Sequence, residues 1–151
     1  MVQFLVGDPT APPASDLLSA MVAELIALYG SADRVDHPRL DPAEMGPPHG
    51  TYVVGSGDGL PIAGGGLRRL SEEAAEIKRM YVDPAWRGQG IAALLLDALE
   101  AAGRHLGYRL VRLDTGPRQP HARQLYERAG YRAIPAYNDN PYAAFFGEKV
   151  L

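Results

Sequence analysis

The stretch MYVDPAWRGQGIAALLLDALEAAG, residues 80–103, limits what this chain can fold into more than any other. An extended apolar run reaches Val82, Asp83 and Pro84 turn it, and glycines at 88 and 90 lead into a helical pattern. A helix that begins near Gln89 or Gly90 leaves several backbone N–H groups without intrahelical acceptors, all aimed at one place. Gly88, Gly90 and Ala92 put no bulky side chain in the way of a ligand, and the positive end of the helix dipole favours a phosphate or pyrophosphate there. Arg87 can add a charge. The same residues also suit an ordinary glycine-eased turn, so the surrounding chain must decide.

Two familiar phosphate loops are excluded. A third glycine at the dinucleotide spacing is missing, as is a parallel βαβ unit with a ribose-binding acid. No Gly-Lys-Ser or Gly-Lys-Thr occurs, which removes the nucleoside-triphosphate loop. The glycines at 64–66 sit inside an apparent strand with no lysine and serine after them, and read as a bulge or a close packing contact.

Residues 2–6 read as an opening strand. Apolar positions from Leu17 to Tyr29 recur at helical spacing over 15–29, with Ser15 as cap and Gly30 as stop. Residues 31–50, with four prolines, form a loop, a candidate access flap, with a short helical turn in DPAEMG. Three extended segments follow to Val82, joined by turns at 55–59 and at SEEA, as an antiparallel meander. The helix over 91–106 presents Ile91, Leu94, Leu95, Ala98, Leu99, Ala102 and Leu106 on one face. YRLVRLDT is a strand, 120–129 a helix, and YRAI and AAFFGEKVL are closing strands. The order βα, βββ, α, β, α, ββ in 151 residues describes one mixed α/β domain spanning 1–151.

A net charge of -3 supplies no general footprint for nucleic acid. The chain has no cysteine, which removes disulfides, thiolate metal sites and thiol nucleophiles, and the four histidines lack paired ligand spacing, so no metal is expected. No apolar run reaches membrane-span length and the first residues lack signal-peptide order, so the expected setting is cytoplasmic, with no membrane partner.

RGQGIA at 87–92 matches the cofactor signature of the GNAT superfamily of acyl-CoA-dependent N-acyltransferases, and ARQLYERAGYRAI resembles that family's second motif through Ala122, Leu125, Tyr126, Gly130 and Tyr131. The resemblance covers nearly the whole chain. It implies a GNAT fold of the α/β (α+β) class: a mixed, mostly antiparallel sheet of six to seven strands, splayed at its centre and flanked by about four helices. It implies acetyl-CoA as co-substrate, with backbone groups of Met80, Tyr81 and Val82 pairing with the pantetheine arm and Arg87, Gly88, Gln89, Gly90, Ile91, Ala92 and Ala93 holding the pyrophosphate. Gln119 stands where the family often has an asparagine that helps bind pantetheine, and a longer amide can make the same bonds.

Attack of an amine on a thioester needs a proton acceptor, oxyanion stabilisation and a donor for the leaving thiolate. The resemblance points to Tyr126 as donor, although its helix also offers it a place in the core. Glu76 starts the strand feeding the loop, where the resemblance implies a catalytic glutamate acting directly or through water; it is the candidate base, or else a solvated strand-end charge beside Glu72 and Glu73. By alternation Glu76, Lys78, Met80 and Val82 share a face. The resemblance also puts Asp114 and Thr115, at the end of a strand, where the family's sheet opens around the thioester; His121 reads as exposed.

The acceptor is expected to be a small-molecule amine, recognised by Tyr137, Asn138 and Tyr142 in the loop PAYNDNPY, with the carboxylates at 72, 73 and 76 attracting its charge. The rival readings are a non-catalytic acyl-CoA-binding module and a protein N-terminal or lysine acetyltransferase. The apolar end AAFFGEKVL either pairs across a homodimer or finishes the sheet.

Overall fold

The computed structural model describes residues 1–31 and 40–151. Its strands are β1 (Gln3–Gly7), β2 (Thr51–Gly57), β3 (Leu60–Arg69), β4 (Ala74–Val82), β5 (Leu110–Thr115), β6 (Arg132–Ala133) and β7 (Phe145–Val150). They form one sheet in the order β1-β2-β3-β4-β5-β7-β6. Every neighbour is antiparallel except β4 with β5, which the helix α2 (Ile91–His105) connects. A crossover helix is what a parallel pair requires. Three helices are described, counting α1 (Ala14–Tyr29) and α3 (Pro120–Arg128); residues 32–39, part of the expected flap, lie outside the described residues.

The sheet separates two apolar clusters. On one face Leu95, Leu96 and Leu99 of α2 and Tyr126 of α3 pack with Leu67, Ile77, Val111 and Leu113. Each fully buried leucine contributes about 2 kcal/mol of transfer free energy. The α2 face differs from the expected one at one step: Leu94 turns outward and Leu96 inward, because the buried stripe is centred on Leu95 and Leu99. On the other face Ala14 and Leu17 of α1 meet Leu40, Met45, Tyr52 and Val54. Leu40 and Met45 are buried there, so this end of the expected flap packs on the sheet.

The cap assignment at α1 also changes. Pro13 occupies the cap position and no side chain caps the helix, so Ser15 lies inside the first turn; Gly30, with φ 79°, closes the other end as expected. The triple glycine is used for contact: any side chain on Gly66 would collide with Met45, and one on Gly64 with the Tyr52 ring. The register of β3 against β4 shifts between Gly64 and Gly66.

Candidate active site

The pairing of β4 with β5 ends at Glu76 opposite Arg112. Beyond it β4 runs on to Val82 while β5 stays with β7, and the sheet opens as a fork. The bulge opposite Gly65 places Arg79 at φ 61° and inverts the alternation. Ala75 and Ile77, then Met80 and Val82, join the cluster beneath α2, whereas Tyr81 packs towards the α1 cluster. The expected common face of Glu76, Lys78, Met80 and Val82 therefore does not form, since two residues of β4 face one of β3 and everything after Arg79 changes side.

Past Val82 the chain folds tightly. Asp83 Oδ1 accepts from the Ala85 N–H at 2.8 Å and opens a short 3-10 turn, Pro84–Trp86. Gly88 and Gly90 follow at φ 78° and 80°, a conformation costing other residues about 1–2 kcal/mol. Nothing lies within 4 Å of where their side chains would be. The first helical bond of α2 runs from Leu94 N–H to Gly90 O at 3.3 Å, so the N–H groups of Ile91, Ala92 and Ala93 precede the ladder. This donor set suits an anion of phosphate chemistry.

A cleft of about 900 Å³ runs from this loop, between α1 and α3, to Tyr126. Met80, Tyr81, Val82, Arg87, Gly88, Gly90, Ile91, Ala92 and Ala93 line it, while Gln89 does not. Arg87 is engaged elsewhere: one guanidinium nitrogen meets both carboxylate oxygens of Glu24 on α1, at 2.8 and 2.7 Å, its Nε donates to Val82 O at 2.9 Å, and the group lies over the Tyr81 ring. Its charge is offset before any ligand arrives. Arg128, exposed, adds a cation to the cleft lining that the sequence did not reveal, and His121, exposed as expected, lines it too.

Tyr126 lines both this cleft and a second, small pocket of about 110 Å³. Its hydroxyl donates to Met80 Sδ at 3.7 Å and its ring meets Tyr131 edge-on. Burial, and then the charge of Asp114, push its pKa up to about 12, so the phenol keeps its proton at neutral pH. Gln119 also touches both cavities; its Oε1 accepts from Tyr29 OH at 3.1 Å, which orients the amide.

Lys78, Arg79, Asp114, Thr115, Asn140 and Tyr142 form the polar wall of the small pocket. Glu76 lines neither cavity and is fully buried. Its Oε1 accepts from Arg68 Nε at 2.8 Å; its Oε2 accepts from Tyr137 OH at 2.5 Å and from Asn138 Nδ2 at 3.4 Å. Asn138 also donates to Asp114 Oδ2 at 2.7 Å. Burial, and then the adjacent Glu76 carboxylate, hold the Tyr137 phenol well above its ordinary pKa. Of the three residues expected to recognise substrate, Tyr142 reaches the pocket, and Tyr137 and Asn138 instead bind the carboxylates behind it. The solvated strand-end alternative for Glu76 does not hold. Glu72 and Glu73 are exposed and line neither cavity, so Asp114 is the carboxylate in the polar wall. Lys78, Arg79 and Asn140 were missed, because only the bulge and the fork bring them together.

The geometry has counterparts in known proteins. Residues 18–131 match the model of the acetyltransferase (GNAT) family. The Escherichia coli N-acetyltransferase YjgM, itself uncharacterized, is 33% identical over 128 residues, covering 78% of this chain and 75% of that one. A Klebsiella pneumoniae chain of known crystal structure is 30% identical with a TM-score of 0.78, covering 100% of this chain and 98% of that one. A GNAT acetyltransferase from Elizabethkingia anophelis, solved with acetyl-CoA bound, shares the fold at a TM-score of 0.70 and 18% identity, over 99% and 98% of the two chains. Forked sheet, glycine loop and buried tyrosine thus occur in a chain whose sequence matches one family over most of its length: it is an acetyltransferase enzyme of the GNAT family.

Proposed function

We propose that this enzyme transfers an acetyl group from acetyl-CoA to the primary amine of a small molecule, with donor and acceptor meeting at Tyr126. The observation that carries the reading is the position of Tyr126 where the long cleft joins the small polar pocket. The cleft has the size and the phosphate-suited end that a nucleotide-bearing thioester needs, and the Elizabethkingia relative of the same fold holds acetyl-CoA. The small pocket suits a compact acceptor.

When bound, acetyl-CoA supplies a thioester carbon to which the amine nitrogen bonds as the carbon–sulfur bond breaks and its electron pair leaves on sulfur. The chain's own residues handle protons and position. Asp114 takes the first proton of the acceptor ammonium, directly or through water, leaving a lone pair for attack. Tyr126, protonated at neutral pH, gives its proton to the thiolate and regains one from the nitrogen, so one proton is released per turnover. Glu76 does not touch the reactants in this scheme; it positions Arg68, Tyr137 and Lys78 from behind. The N–H groups from Gly88 to Ala93 would hold the pyrophosphate and Gln119 the pantetheine, while Arg87 stays with Glu24. Most of the acceleration comes from holding the two substrates together.

Calorimetry with acetyl-CoA, followed by thiol release with a panel of small amines, tests the reading. Micromolar binding and amine-dependent release are expected. Release with peptides alone would replace the acceptor class, and failure of the folded protein to bind acetyl-CoA would overturn the donor.

A further inference from the structure

Lys78 stands apart among the charges that line the small pocket. Its side chain is 10% exposed and lines the small pocket. Its ammonium lies 3.8 Å from Glu76 Oε1 and 3.8 Å from Asp114 Oδ2, beyond hydrogen-bond reach of both. Among the described residues it makes no hydrogen bond at all, although an ammonium carries three donors. At 10% side-chain exposure such a cation is expected to find hydrogen-bonding partners, in the protein or in what fills the pocket. Lys78 lines the pocket, so its remaining donors are open to what fills it.

The anion beside it is half satisfied in the same way. Asp114 Oδ2 accepts from Asn138 at 2.7 Å, and Oδ1 receives no hydrogen bond among the described residues. One pocket thus holds an ammonium lacking acceptors and a carboxylate oxygen lacking a donor, only a few ångströms apart. A plain cationic amine would satisfy Asp114 and leave Lys78 bare. A ligand carrying an ammonium and a carboxylate on neighbouring atoms satisfies both.

We infer that the acceptor is a free α-amino acid, its ammonium held by Asp114 and its carboxylate anchored by Lys78. The inference rests on the acetyl-transfer reading and adds a specificity-determining residue to it. The short distance between Lys78 and Asp114 sets the spacing of the two ligand charges, which selects α-amino acids over acceptors whose amine and acid lie several carbons apart. Tyr137 and Asn138 serve the same end indirectly, since their bonds to Glu76 and Asp114 fix the carboxylates between which Lys78 is suspended.

The test compares kcat/KM, at saturating acetyl-CoA, for the common L-α-amino acids, for their carboxamides, which keep the amine and lose the anion, and for γ-aminobutyrate. The best free acid should exceed its carboxamide and γ-aminobutyrate at least tenfold. Lys78→Met should lower kcat/KM for that acid at least tenfold and bring acid and carboxamide within about twofold, while Lys78→Arg keeps the preference. Equal rates for acid and carboxamide in the unaltered enzyme would overturn the inference without any variant and leave acetyl transfer standing. So would a Lys78→Met loss that is the same for acid and carboxamide, which would place Lys78 on the thioester. Absence of acetylation with every amine would refute the transfer reading, and the anchor with it.

Discussion

The two cavities meeting at Tyr126 are built by different means. The glycine-loop end of the long cleft is backbone: two left-handed glycines, a helix start, and open space where side chains would be. The small pocket is walled mainly by side chains from α1, β4, β5 and the loop before β7, with a network of charges from β3 and β4 behind it. A backbone site depends on residues close together in sequence and tolerates change in its surroundings. A side-chain site depends on distant partners, and losing one disturbs the rest.

Substitutions can break this contrast, and the largest effect belongs to the loop. Gly90→Glu places a charged side chain in the phosphate seat and in a strained conformation; acetyl-CoA affinity measured by calorimetry should fall at least about 100-fold, about 2.7 kcal/mol. Unchanged affinity would show that the loop does not carry binding. Glu76→Gln should act on the other cavity. It leaves Arg68 and Lys78 without their buried carboxylate, which should cost roughly 2–3 kcal/mol in urea unfolding and raise the acceptor KM. Acetyl-CoA affinity should stay within about twofold. Tyr137→Phe removes one hydrogen bond from the same carboxylate and should cost about 1–2 kcal/mol, with a smaller rise in acceptor KM. Glu24→Gln is the mildest: its exposed pair with Arg87 is worth under about 1 kcal/mol to stability. Releasing Arg87 towards the anion seat should tighten acetyl-CoA severalfold, and weaker binding would mean that the pair itself shapes the cleft.

The contrast also explains what could be read from the sequence. RGQGIA was legible as a loop and helix start because its residues are contiguous, and the left-handed positions fall to glycine. The alternating strands, α2 and α3 were legible for the same local reason. The acceptor pocket was not. Strand alternation put Glu76 and Met80 on one face, and the single extra residue at Arg79 reversed it. For the polar loop 135–142, a sequence does not say that Tyr137 turns back to Glu76 while Tyr142 lines the small pocket. The cap at α1 differs because the helix begins at Ala14, so that Pro13 takes the cap position two residues before Ser15. Lys78 gave no signal at all, since a lysine on a strand ordinarily faces water.

The central claim is that acetyl transfer occurs where the cavities join, with the buried phenol of Tyr126 as proton donor. Its most direct test is Tyr126→Phe, assayed for kcat at saturating acceptor together with calorimetric affinity for acetyl-CoA. The account predicts kcat lowered about 100-fold, within the usual range for losing a general acid, and acetyl-CoA affinity within about twofold. A kcat unchanged in the folded variant would contradict it.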